Sequence, residues 1–120
     1  MIRKHYLSFK NAFSGLSFIL ETQANFKIHI FLSIIAIFLG FLLKISYYEW
    51  LIIIILIIVG LAIESLNTII EETADLINES WNEKIKIIKD MAAGVMLIFA
   101  LGSIFIAGLI FLPKLLLYFK

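Results

Sequence analysis

Three stretches of this chain are apolar and long enough to cross a bilayer, and the second carries a carboxylate within it. Glu64 lies in a run of Leu, Ile, Val and Ala, and Asn67, Glu71 and Asp75 follow at offsets of three, seven and eleven residues. At roughly 100° per residue, an α-helix sets all four near one stripe. An ionisable group at that depth is costly, so it is expected to face protein or a wet cavity and not lipid. Of the 120 residues, 62% are apolar and 16% charged, which points to a chain whose solvent is largely lipid. An all-α membrane protein of one compact domain spanning residues 1–120 is the expectation.

The net charge of +1 gives no field able to capture nucleic acid, so no nucleic-acid partner is expected. The absence of cysteine excludes disulfides, thiolate metal sites and thiol nucleophiles. The first fifteen residues lack the continuous apolar core and cleavage site of a secretory signal. Too few residues lie outside lipid to build a separate soluble catalytic domain.

Ile2, Tyr6, Phe9, Phe13, Leu16 and Leu20 recur at helical spacing, with Arg3, Lys4, Lys10, Asn11, Ser14 and Ser17 mostly opposite them. Residues 1–25 therefore read as an amphipathic helix on the membrane surface, its basic side suited to an anionic leaflet. The spans are read as 27–44, 50–75 with its last turns emerging into water, and 90–112. Residues 44–49 form a turn in which Tyr47, Tyr48 and Trp50 make an aromatic belt. Residues 78–90 form a polar connection anchored by Trp81, and Pro113 is expected to end the third span. Gly94 and Gly102, with Ala92, Ala93, Ser103 and Ala107, offer small surfaces for close helix approach.

Arg3, Lys4, Lys10, Lys27, Lys84, Lys86 and Lys89 fall on one side of the membrane, against Lys44, Lys114 and Lys120 on the other. The positive-inside rule then puts the amino terminus and the 78–90 connection in the cytoplasm, where nucleotides and magnesium are found. Three helices can hardly enclose a site alone, so a homo-oligomer is expected.

No Gly-rich phosphate loop and no kinase signature of the soluble kind is present. Phosphoryl transfer nevertheless needs little beyond positioning, a metal, a cation near the phosphates and a base for the attacking hydroxyl. Glu64 is the natural base, since a carboxylate at the lipid boundary is suited to take a proton near neutral pH. Glu71, two turns nearer water, suits magnesium, which takes only one or two protein carboxylates and fills its shell with phosphate oxygens and water. Asn67, between them, can hold either the attacking hydroxyl or the metal shell. Against these stand ordinary structural roles: a polar packing seam for Glu64, a solvated helix end for Glu71, Glu72 and Asp75, an interfacial anchor and helix start for Lys89 and Asp90. For His29, at the edge of the first span, a packed interfacial histidine is the commoner role.

The segment Glu64-Ser-Leu-Asn-Thr-Ile-Ile-Glu71 with Asp75 resembles the signature of the prokaryotic diacylglycerol kinase family. Lys89-Asp90-Met91-Ala92-Ala93-Gly94 resembles its second stretch, and residues 9–16 and 25–29 resemble its amino-terminal ones. The resemblance covers nearly the whole chain. It implies an integral lipid kinase of the bacterial cytoplasmic membrane: a surface helix and three transmembrane helices per subunit, assembled as a homotrimer with sites shared between subunits. It implies transfer of the ATP γ-phosphate, with Mg2+, to diacylglycerol or undecaprenol. Glu64 would be the base, Asn67 an active-site hydrogen-bonding residue and Glu71 a magnesium ligand. Lys89, Asp90, Ser80, Trp81, Asn82, Lys4 and Asn11 would contact ATP.

One departure concerns the metal: Gln23 stands where many members have a second metal-binding glutamate. Its carbonyl oxygen can still ligate, with one charge fewer, and Glu21 is the other candidate. Residues 25–29 and the compact carboxyl terminus look more like members that act on undecaprenol. A proton- or cation-handling membrane subunit built on Glu64 is the competing functional class. A structural membrane protein assembling through its third helix is another.

Overall fold

In the computed structural model, which describes residues 2–77 and 82–120, four helices follow one another. They are α1 (Ile2–Thr22), α2 (Ala24–Leu42), α3 (Tyr47–Ile77) and α4 (Glu83–Tyr118). The last three are long and apolar enough to span a membrane. Helix is the state such sequences must take, because each backbone N–H and C=O then finds its partner within its own segment and none is left bare in lipid. Ser80 and Trp81, in the 78–81 segment, lie outside the described residues.

The boundaries differ from the sequence expectations, each for a local reason. Only Gln23, extended at φ −108° and ψ 111°, separates α1 from α2, so the second helix takes in Asn25, Phe26 and Lys27 rather than starting at Lys27. Phe26 is buried there. The turn after α2 is tighter than expected and occupies residues 43–46. Lys44 adopts a left-handed φ of 53°, and Ile45 N–H reaches back to the Gly40 carbonyl at 3.1 Å, a Schellman-type stop made without glycine at the left-handed position. α3 then begins at once, because Ser46 and Glu49 form a capping box. Ser46 N–H donates to Glu49 Oε1 at 2.8 Å and Glu49 N–H donates to Ser46 Oγ at 3.3 Å.

Helix α4 starts well before the third apolar stretch. Asn82 caps it, its Oδ1 accepting from the N–H groups of Lys84 (2.9 Å) and Ile85 (3.4 Å), so most of the expected polar connection is helical. Pro113 does not end this helix, which runs on to Tyr118. A proline ring removes a single backbone donor, a loss that membrane helices tolerate when neighbouring groups compensate. Beyond the proline, Lys114 Nζ reaches Glu49 in the first turn of α3 at 3.2 Å.

The apolar core gathers at this end of the molecule. Leu43, Ile45, Ile53, Ile110 and Phe111 are buried together, with Trp50, Leu39 and Leu115 against them. Gly40 admits the indole of Trp50, since a Cβ there would stand 2.6 Å from Trp50 Cη2. Gly60 similarly admits Phe99, whose Cε1 would lie 2.8 Å from such a Cβ. The glycines expected to carry close approaches do not do so within the chain: Gly94 and Gly102 face open space.

The chain is a slab of 56 × 44 × 21 Å with a radius of gyration of 18.0 Å. A compact domain of this length would have a radius of about 14 Å. Large apolar side chains such as Phe31, Phe38, Leu101 and Phe105 are correspondingly exposed, and α1 buries none of its residues.

Candidate functional site

At the opposite end of α3 from the apolar core, burial turns polar. Glu64, Asn67 and Thr68 are 3%, 8% and 5% exposed, and they are the buried polar side chains among the described residues. Helical offsets of three and four put them on one face, where Glu64 meets His29 of α2. The expectation that Glu64 faces protein, not lipid, is met.

Each member of this face is held locally. Thr68 Oγ1 donates to the Glu64 carbonyl at 3.1 Å, and Asn67 Nδ2 donates to Glu71 Oε1 at 3.4 Å. Glu71 is half-buried. Asn67 Oδ1 is buried without a hydrogen-bond partner, although a buried carbonyl oxygen ordinarily has one. Oxygen is the ligand type magnesium prefers, and the same Asn67 amide meets the Glu71 carboxylate through its Nδ2. The donor set therefore fits a small hard cation whose other positions are filled by phosphate and water. Among the described residues, no three His, Asp or Glu side chains converge to cage a metal within one chain.

From α4, Lys89 Nζ meets Asp75 Oδ1 at 2.5 Å, closing the stripe at the end away from Glu64. The Asp75 hydrogen bond holds the Lys89 ammonium above the usual lysine range, so it is charged at every physiological pH. Asp90 pairs within its own helix with Lys86 at 2.7 Å. The structure thus brings Glu64, Asn67, Glu71 and Asp75 into one line and joins Lys89 to its end. Lys4 and Asn11 lie exposed on α1 and make no hydrogen bond or ion pair to that line among the described residues. Gln23 is engaged locally, its Nε2 donating to Thr22 Oγ1 at 3.3 Å. Asn82 is engaged as the α4 cap.

Thr68 is a contributor that sequence reasoning missed, although its offset of four from Glu64 made it detectable by spacing. His29 was weighed as a packed interfacial histidine, and only the packing of α2 on α3 brings its Nε2 within 3.6 Å of Glu64 Oε2. His29 also stands at one end of a cavity of about 320 Å³ between α2, α3 and α4, lined chiefly by apolar side chains, with Ser33 and Ser103 among them.

Residues 10–111 match the family described as Prokaryotic diacylglycerol kinase. Over 114 residues the chain is 40% identical to the undecaprenol kinase of Bacillus subtilis (strain 168), covering 95% of this chain and 93% of that protein. Over 111 residues it is 34% identical to the diacylglycerol kinase of Synechocystis sp. (strain ATCC 27184 / PCC 6803 / Kazusa), covering 92% of this chain and 63% of that protein.

Proposed function

The chain is a membrane lipid kinase of the prokaryotic diacylglycerol kinase family, and we propose from that premise that it phosphorylates undecaprenol with Glu64 as the base. The observation that carries this assignment is the burial of the Glu64 carboxylate inside an apolar span, in line with Asn67 and Glu71. Glu64 takes the proton of the acceptor hydroxyl as its oxygen attacks the γ-phosphorus. The bond from that phosphorus to the bridging oxygen breaks, and ADP leaves. Asn67 orients the hydroxyl or the metal shell from its place between the two carboxylates.

Glu71, with the unpartnered Oδ1 of Asn67, would hold magnesium, which when bound supplies charge neutralisation at the phosphates. Gln23 or Glu21 would add an oxygen. Lys89 and Asp90 would contact ATP, and the charge of Lys89 suits it to the phosphates. Lys4, Asn11, Ser80, Trp81 and Asn82 are further proposed nucleotide contacts. The thin, open shape of one chain and the many exposed apolar side chains favour a homotrimer whose sites are shared between subunits. The distribution of Lys and Arg favours the bacterial cytoplasmic membrane with the amino terminus and nucleotide site inside, and α1 on its surface.

Undecaprenol is preferred to diacylglycerol because the relative of that name is similar along almost its whole length. Family membership does not favour the ion-handling alternative. A mixed-micelle assay with labelled ATP against undecaprenol, diacylglycerol and ceramide tests the assignment. Magnesium-dependent labelling of undecaprenol above the others supports it, and inactivity toward all three refutes it.

A further inference from the structure

Among the described residues, His29 is the one titratable side chain beside Glu64 to which the phosphoryl transfer has so far given no part. Its Nε2 lies 3.6 Å from Glu64 Oε2, beyond hydrogen-bond range yet within the reach of a small side-chain adjustment. The two come from different helices, so their meeting reflects how α2 packs on α3. The imidazole is three-quarters buried and has little freedom to leave. Gly60 lets Phe99 close on the α3 backbone one turn before Glu64, and His29 Nδ1 stands at ordinary contact distance there, 3.9 Å from where a Cβ would be. The same three residues, His29, Gly60 and Phe99, form one end of the apolar cavity.

A carboxylate enclosed by apolar groups needs a polar partner to keep one orientation. Thr68 binds only the backbone carbonyl of Glu64, and Asn67 is turned to Glu71, so neither aims the Glu64 carboxylate. We propose that His29 is a positioning residue for the phosphoryl transfer, its Nε2–H aiming the Glu64 carboxylate at the acceptor hydroxyl. The proton of the hydroxyl goes to Glu64, and His29 keeps its own. The role rests on the kinase assignment, which would otherwise leave the base able to turn away from the acceptor.

The test uses the full chain in lipid–detergent micelles, comparing His29→Gln, which keeps an N–H donor, with His29→Leu, which keeps only bulk. His29→Leu is expected to lower kcat on the order of 100-fold with KM for ATP unchanged, the loss that a misplaced reacting group produces. His29→Gln is expected to recover most of it. Equal rates for the two variants, or a loss confined to KM, overturn the proposal. A second readout needs no turnover: the chain has two histidines, so His5 serves as the reference for imidazole 15N resonances. Glu64→Gln is expected to shift the His29 signals and Glu71→Gln to leave them, and unmoved His29 signals after Glu64→Gln also overturn it. A wild-type chain inactive on every lipid alcohol sinks the kinase assignment and this role with it. An active wild type with indifferent His29 variants sinks the role alone.

Discussion

The indole of Trp50, in the first turns of α3, lies directly on the bare backbone of Gly40 in the last turns of α2. A methyl group at Gly40 would sit 2.6 Å from Cη2 and 2.8 Å from Cζ2, so the ring would have to move. This contact, with the Ser46–Glu49 capping box beside it, sets how the chain reverses between the two helices.

Gly40→Ala is accordingly expected to destabilise the protein by about 1–3 kcal/mol, the usual cost of overpacking. Thermal unfolding in detergent, followed by loss of the monodisperse peak, measures it. Gly102→Ala is the informative control, because nothing within the chain meets that position. A neutral result is expected, and destabilisation there would reveal that another subunit covers this face.

Removing the proposed base while keeping its shape isolates its chemistry. Glu64→Gln is expected to lower kcat by a factor on the order of 10² to 10⁴ while leaving the oligomer intact. Turnover with labelled ATP and size measured by light scattering are the two readouts. Retained turnover would remove Glu64 from the chemistry.

Metal dependence should follow Glu71. Chelation of divalent cations is expected to abolish turnover, and added magnesium to restore it. Glu71→Gln is expected to raise the magnesium concentration needed for half-maximal rate, because one of the few negative charges at the site is lost. A magnesium titration of wild type and variant checks both.

The Lys89–Asp75 pair makes a statement about pH. Because the partner carboxylate raises the lysine above its ordinary value, the charged form is present at all lower pH and is lost only as pH rises through that raised value. KM for ATP is therefore expected to show no inflection due to Lys89 below the ordinary lysine value of about 10.4. Lys89→Gln is expected to raise KM for ATP more than it lowers kcat, with Lys89→Arg intermediate. Initial rates across a pH series for the three proteins decide the matter.

Much of the architecture is legible in the sequence, and what is not has specific physical causes. Runs of Ile, Leu and Phe announced the spans, yet not their ends. The extensions of α3 and α4 depend on local caps: Ser46 with Glu49 and Asn82 with the N–H groups of residues 84 and 85. Pro113 removes only one backbone donor, so the helix around it continues to Tyr118. The polar stripe was readable because four residues on one helix share a periodicity. His29 was not, since no spacing within α3 refers to a residue on α2.

Sequence alone determined that this chain has membrane-spanning helices and that one of them carries a buried carboxylate in line with polar neighbours. An apolar segment of this length in lipid can pair its backbone polar groups within itself only as a helix, and helical geometry ties spacing to direction. Tertiary structure alone decided that His29 faces Glu64, and that Gly40 and Gly60, not Gly94 and Gly102, take the close contacts. Those outcomes depend on how each helix is rotated and set against its neighbour, which is settled by packing between segments far apart in the chain.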